Sequence, residues 1–350
     1  MSANNTTIPT GSWILITGAT GWLASHMIKE FLERGYRVRG TVRDLEKSSW
    51  LITDIFKAEH DRGDFELALV ADLTTSGTGA YDGAVAGVAA IVNAASITSW
   101  DPDASKVIPP SVQGITSLLN AALKEASVRR FVHTSSCVAA TSPMPGNTTR
   151  VERGTFNDAA VAMAWAEPTP ETAPMLGPIV YMASKTEEEK TLWRFVDETR
   201  PGFTANTILP GSFMGQMLAK RHVQAPTAWS RHLYEGDAEA LGRLPATFLS
   251  DIKDVTMLHV AAVLDPGVQN ARIQAWGRGC NWNDILAVAR RLYPQHEFID
   301  DLPGMTRLSV TTDESAALRL LSEWTGQDGW RTLEQTVRDG IDSVIAWQGK

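Results

Sequence analysis

The sequence predicts an α/β fold: a doubly wound parallel sheet followed by a smaller, mostly helical C-terminal lobe. Three observations carry this. Short apolar runs alternate with helical patterns from residue 12 to residue 209, which is the rhythm of βαβ units. A glycine-rich turn joins the first apolar run to the first helix, as in a Rossmann-type dinucleotide-binding sheet. Beyond Leu209 the alternation loosens into loops and helical stretches. The expected boundaries are 11–210 for the dinucleotide-binding domain and 211–350 for the substrate-binding lobe, with the chain crossing back to the first domain. A length of 350 residues suits about two domains of roughly 150 residues.

Ser12–Thr17 (SWILIT) reads as the first strand, and Trp22–Arg34 as a helix stopped by Gly35. Tyr36–Val42 (YRVRGTV) alternates with period two, a strand. Leu45–His60 predicts a helix and Phe65–Val70 a strand. Val88–Ala94 is a buried strand, Val112–Ala126 a helix and Arg130–Thr134 (RFVHT) a strand. Tyr181–Thr199 is a long helix, followed by a strand at Phe203–Leu209. Ser142–Pro178 breaks the rhythm: it holds Pro143, Pro145, Pro168, Pro170, Pro174 and Pro178 and no sustained pattern. A loop of that length inside a compact domain is usually functional. In the lobe, Pro210–Leu249 reads as loops and short helices. Asp254–Leu264, Trp282–Leu292, Asp313–Thr325 and Trp330–Trp347 read as helices.

Composition narrows the function classes. Hydrophobic residues make up 43% and charged residues 21%, close to globular averages of roughly 45–50% and 25%, which excludes a disordered chain, a coiled coil or a fibre. The net charge of −8 lacks the basic footprint of a nucleic-acid binder and has little attraction to an anionic membrane. The two cysteines, Cys137 and Cys280, form no zinc signature and no disulfide framework, and point to a reducing, cytoplasmic compartment. Met1 to Gly11 lacks the charged and apolar regions of a signal peptide. The twelve Trp outnumber the five Tyr. Trp229, Trp276, Trp282, Trp324, Trp330 and Trp347 either pack the lobe or line an aromatic-friendly pocket. Met214, Met217 and Leu218 likewise either touch substrate or fill the lobe core.

Two constellations carry chemistry. The first is Ile16-Thr17-Gly18-Ala19-Thr20-Gly21-Trp22-Leu23-Ala24, after a strand and opening a helix. Gly18 permits the tight turn, Gly21 lets the backbone approach a pyrophosphate, and Ala24 allows close helix–strand packing. The N–H groups of the helix start then face the phosphates. The second strand ends Val42-Arg43-Asp44. A guanidinium there makes paired hydrogen bonds to a 2′-phosphate, which favours NADPH over NADH, with Lys47 assisting. In the opposite reading Asp44 reaches the ribose and Arg43 is a solvated charge. Asp72, after the third strand, either meets the adenine edge or caps a loop.

The second constellation is Tyr181-Met182-Ala183-Ser184-Lys185. Positions i and i+4 share a helix face, and an ammonium there lowers the pKa of a phenol, fitting the pair for proton transfer at a carbonyl or alcohol oxygen. The run Arg130–Thr134 ends in Ser135-Ser136 at the C-terminal edge of the sheet, where open α/β sheets bind ligands. Glu187-Glu188-Glu189 reads as a solvated helix face. His26, His133, His222 and His259 show no metal-ligand spacing, so no metal is expected.

The glycine turn, TSS after a strand and YxxxK on the following helix resemble the short-chain dehydrogenase/reductase superfamily, extended type. DIKDVTMLH at Asp251–His259 and Leu209-Pro210-Gly211 fit the same type. RGTVRD, RFVHTSS, YMASKTEEE and GWRTLEQTVRDG are similar to the dihydroflavonol-reductase-like branch, above all to fungal and yeast NADPH-dependent aldehyde and carbonyl reductases. The resemblance runs from Trp13 to Asp342. It implies Tyr181 as proton donor, Lys185 on the nicotinamide ribose, and Ser136 (or Ser135, one register away) polarising the carbonyl. It also implies a cofactor site of Thr17, Gly18, Gly21, Trp22, Leu23, Arg43, Lys47, Asp72, Leu73, Ala94, Ala95, Pro210 and Gly211, with Tyr181 and Lys185. One departure stands out. Near Pro110-Ser111-Val112 there is no Asn where many relatives carry one that supports a proton relay, which bears on the route of proton resupply.

The function these readings imply is NADPH-dependent reduction of an aldehyde or ketone to the alcohol, by a monomer or homodimer without nucleic acid or membrane. The Trp content suggests an aryl or bulky apolar substrate, and analogy with fungal relatives a secondary-metabolite or polyketide intermediate. A nucleotide-sugar epimerase or dehydratase shares the fold, but Ser136-Cys137-Val138-Ala139-Ala140 lacks the Thr and acidic residues of a dehydratase. A non-catalytic NADP-sensing regulator commonly loses the YxxxK pair, which is present here.

Overall fold

The computed structural model describes residues 6–72, 79–244 and 246–348. Its strands are β1 (Trp13–Ile16), β2 (Arg37–Val42), β3 (Phe65–Leu69), β4 (Val88–Asn93), β5 (Arg130–Thr134), β6 (Arg150–Val151), β7 (Thr204–Pro210), β8 (Ser212–Met214), β9 (Thr247–Asp251), β10 (Arg272–Ala275), β11 (Arg278–Cys280) and β12 (Thr311–Thr312). Seven form the main sheet, in the order β10-β7-β5-β4-β1-β2-β3. β1 pairs in parallel with β2 and β4, β2 with β3, β4 with β5, and β5 with β7. The order reverses between β1 and β4, the switch point at which such sheets bind ligands. β4 and β5 are buried along almost their whole length, as expected of strands covered on both faces. They pack on the helix Ala104–Lys124 through Ile115, Leu118 and Leu119, and on Leu192 of the helix Leu176–Thr199.

The chain divides into two units. The first comprises Met1–Ser142, Arg153–Leu209 and His259–Ile273; the second comprises Pro143–Glu152, Pro210–Leu258 and Gln274–Lys350. The second unit contains a small sheet, β11-β9-β8, and the pair β12-β6. Its core gathers Met214, Leu233, Trp282, Ile285, Val337 and Ile341, with Trp229 5.4 Å from Trp282 and Phe248 4.8 Å from Trp276. Met214, Met217 and two of the six lobe tryptophans, Trp276 and Trp282, are thus buried packing residues. No helix of the described residues is long and apolar enough to cross a membrane.

Three local expectations give way. Leu45–His60 is not one helix: turns lead into a π-helical turn at Leu51–Ile55 and a short helix at Lys57–Asp61. The helix expected from Val112 begins at Ala104, with Pro109 and Pro110 inside it. Proline removes an intrahelical bond, but Asp103 accepts from Ser105 N–H at the start, and Ala104, Val107 and Ile108 are buried against Ala160, Ile179 and Ala183. Burial outweighs the missing bonds. Finally, Ser142–Pro178 is not structureless. It contains the helix Asp158–Trp165, capped by Asn157, and Leu176–Thr199 begins five residues before Tyr181.

Candidate active site

Parallel strands all end at one edge, so residues just past them assemble there regardless of their separation in sequence. Thr17 ties two of those ends together. Its buried hydroxyl donates to Asn93 Oδ1 at 2.8 Å and accepts the N–H groups of Ala94 and Ala95 at 3.0 and 2.9 Å. Gly18 has φ +69°, and a Cβ there would lie 3.1 Å from the Ala95 backbone, so only glycine fits this turn without strain. Gly21 is exposed and Leu23 buried at the start of the helix Trp22–Glu33, and no side chain caps that start. An uncapped helix N-terminus beside a bare glycine turn is what a pyrophosphate requires, so these residues fit a dinucleotide.

Past β2, Arg43 is exposed and has no partner among the described residues. Asp44 is engaged locally: it accepts Lys47 N–H at 3.0 Å, and Lys47 Nζ lies 3.4 Å away. That backbone bond, with the ammonium, holds the Asp44 carboxyl below its usual range. The two readings of this strand end are therefore placed differently, with Asp44 folded back on its own turn and Arg43 extending into solvent. Asp72 is exposed past β3; Leu73 lies outside the described residues. Pro210 is buried at the end of β7, and Gly211 N–H donates to Ala275 O at 3.2 Å.

The two serines after β5 point to different partners. Ser135 is buried and donates to Glu189 Oε2 at 2.9 Å. Ser136 caps the short turn Cys137–Ala139, its hydroxyl accepting from Val138 N–H, and it is near enough to the Tyr181 phenol to act on its ionisation. Lys185, one helical turn beyond Tyr181, is buried and donates to Thr134 O at 3.0 Å and to Glu188 Oε2 at 2.5 Å. The expectation that Lys185 lowers the phenol pKa is not what the packing produces. Burial pushes Tyr181 above its ordinary value, Glu188 and Cys137 add to this, and only the Ser136 hydroxyl pulls the other way. Burial also pushes the Cys137 thiol up to about 12, so it is an inert neighbour.

The acidic triplet corrects the sequence reading. Glu188 is 4% exposed and Glu189 fully buried. Glu189 accepts from Arg272, Ser135, Thr207 and Trp193. The signal was available: positions 188 and 189 fall one turn after Lys185 on the same helix face. A second residue had no sequence signal. Trp100 stacks on the Tyr181 ring at 5.7 Å and 5°. It is 49% exposed, and its φ of 55° is rare for a non-glycine residue. Gly177 makes room for it, since a Cβ there would lie 2.5 Å from Trp100 O.

The chain is similar to known proteins in sequence and in fold. Residues 14–161 match the NAD dependent epimerase/dehydratase family. The chain is 33% identical to Aldehyde reductase 2 of Sporidiobolus salmonicolor, over 98% of its own length and 99% of that protein's. It is 32% identical to a ketoreductase of Penicillium rubens, over 97% and 98%. In fold it is similar to the yeast methylglyoxal/isovaleraldehyde reductase Gre2, solved with NADPH, with a TM-score of 0.77 at 21% identity over 96% of this chain and 99% of that one. With a third of its residues shared along almost the full length of a relative, the chain belongs to the NAD dependent epimerase/dehydratase family, the extended short-chain dehydrogenase/reductases, and is an oxidoreductase of that family.

Proposed function

We propose that the protein reduces an aldehyde or ketone, aryl or bulky and apolar, to the alcohol with NADPH. The observation that carries this reading is the gathering of Ser136, Tyr181 and Lys185 at the C-terminal edge of the sheet, where Lys185 Nζ donates to Thr134 O at 3.0 Å, on the edge where the Gly18 turn lies. The dinucleotide, when bound, supplies the hydride. Gly18, Gly21 and the start of the helix Trp22–Glu33 hold its pyrophosphate, and Arg43 pairs with the 2′-phosphate. Ser136 donates a hydrogen bond to the carbonyl oxygen, and Tyr181 gives that oxygen its proton. A phenol, with an ordinary pKa of ~10, carries its proton at neutral pH and can give it up there. Trp100, half exposed beside Tyr181, offers a flat apolar face to an aryl substrate. The names of the relatives, an aldehyde reductase and ketoreductases, point to the same chemistry.

The test is consumption of reduced cofactor, NADPH against NADH, with aryl aldehydes, α-keto esters and β-keto esters. Turnover selective for NADPH is expected, falling about 10²–10⁴-fold in Tyr181→Phe. Cofactor binding without turnover of any carbonyl overturns the reading.

A further inference from the structure

Past its last residue, Val42, the strand β2 delivers two opposite charges, Arg43 and Asp44, to the C-terminal edge of the sheet. Neighbours in the chain, they could neutralise each other, and they do not. Arg43 has no partner among the described residues. Asp44 turns both carboxylate oxygens onto the residues that follow it. Oδ1 accepts the Lys47 N–H at 3.0 Å, and Oδ2 lies 3.4 Å from Lys47 Nζ. Local side-chain acceptors of this kind close a turn on its own backbone. The series continues: the Ser49 N–H and hydroxyl both donate to Glu46 O, at 3.2 and 2.8 Å, and the Leu51 N–H donates to Ser48 O at 3.1 Å. Ser48 is buried. Residues 44–51 are thus a run of closed turns, and the Asp44 side chain is the first link.

This bears on the choice of dinucleotide. A carboxylate held open at the end of this strand accepts the ribose 2′-hydroxyl of NADH and repels a phosphate in its place. Here the two oxygens are taken up by Lys47, whose ammonium offsets the charge, and the five N–H donors of the neighbouring guanidinium are left for a ligand. We propose that Asp44 is a positioning residue for cofactor choice: by closing the turn onto Lys47 it withdraws its own carboxylate from the ribose and fixes Arg43 where a 2′-phosphate takes the guanidinium. The proposal rests on the reading of Arg43 as the 2′-phosphate ligand. It gives an acidic residue at this strand end the reverse of its usual meaning, support for NADPH rather than NADH. The oxygen that closes the turn does the positioning, and the charge is dispensable. An amide, which keeps that oxygen, should serve as well as the acid, and a methyl group should not.

The experiment is calorimetric titration of adenosine 2′,5′-bisphosphate and adenosine 5′-monophosphate, which differ only in the 2′-phosphate, and then of NADPH and NADH. The proteins are wild type, Asp44→Asn, Asp44→Ala and Arg43→Ala. Both Asp44 variants lose the charge and only Asp44→Ala loses the acceptor, so comparing them isolates the turn. Asp44→Asn is expected to bind the bisphosphate and NADPH at least as tightly as wild type. Asp44→Ala should bind both about 2–10-fold more weakly than Asp44→Asn, the worth of one hydrogen bond, while the monophosphate and NADH bind the two variants equally. A merely structural role would move all the ligands together. Equal affinity of the two Asp44 variants for the bisphosphate, or the same loss for the monophosphate, overturns the proposal alone, provided Arg43→Ala weakens the bisphosphate selectively. If Arg43→Ala weakens bisphosphate and monophosphate alike, the reading of Arg43 falls, and the proposal with it.

Discussion

Buried carboxylates are held in two ways, by cations and by neutral donors. The second way is found in the second unit, where only some carboxylates have a cation: among the described residues Asp251 faces Arg331 Nε at 3.1 Å. In the first unit, Glu188 and Glu189 each face a cation: Lys185 for one, a two-pronged Arg272 for the other. In the second unit, Glu314 is held by the backbone N–H groups of Trp276 and Gly277 at 2.9 and 2.8 Å, and Asp254 by Gln327 Nε2 and the Arg331 N–H, each at 2.8 Å. Burial pushes Glu314 up to about 7 and Asp254 up to about 6, against the pull of these donors. A carboxylate facing a cation keeps its charge when buried, whereas neutral donors offset only part of the desolvation. Glu188 and Glu189 of the first unit are thus paired with cations, whereas Glu314 and Asp254 of the second are shifted toward neutrality.

The largest expected effect comes from breaking a pair in the first unit. Arg272→Ala leaves Glu189 buried without its cation and also loses the bonds from Arg272 to Arg153 O and Thr155 O and its place over the Phe156 ring. Urea denaturation should show a loss of about 3–5 kcal/mol. Arg272→Lys should recover only part of it, because the paired geometry needs a guanidinium. A loss near zero for Arg272→Ala would mean that Glu189 takes up a proton and needs no cation, erasing the contrast.

An exposed charge of the same unit should behave in the opposite way. Arg43→Ala should leave the denaturation midpoint almost unchanged, as most surface substitutions do. It should weaken NADPH binding by about 10–100-fold, the worth of a charge-assisted contact, with little effect on NADH. Titration of each cofactor against the two proteins measures this, and equal weakening for both would remove Arg43 from the 2′-phosphate.

The smallest effect lies in the second unit. Glu314 titrates near 4.5 when unfolded and about 7 when folded, so between these values the folded state binds more protons. Its contribution to stability is complete below pH 4.5, declines as the pH rises toward 7, and is flat above. Glu314→Gln mimics the protonated form. Its melting temperature should match wild type near pH 4.5 and exceed it by a few degrees at pH 8. A constant difference at all pH values would show that Glu314 does not titrate in this range.

Much of this was legible in the amino-acid order, for local reasons. The strand Arg130–Thr134 and the helix Trp282–Leu292 have their predicted bounds, and β1, β2, β4 and β7 lie within one residue of theirs at each end. Buried strands of a parallel sheet are apolar runs, and Asn281 and Asp284 form a capping box at the start of Trp282–Leu292. The glycine turn and the Tyr181–Lys185 spacing are equally local. What tertiary structure alone decided is the identity of partners. Which of Ser135 and Ser136 meets Tyr181, how Glu188 and Glu189 are buried, how Trp100 comes to lie on Tyr181, and why a helix runs through Pro109 and Pro110 all depend on strand ends and helix faces far apart in the chain. Propensity acts over a few residues, while burial and pairing energies are set where distant segments meet, and at these positions the second outweighs the first.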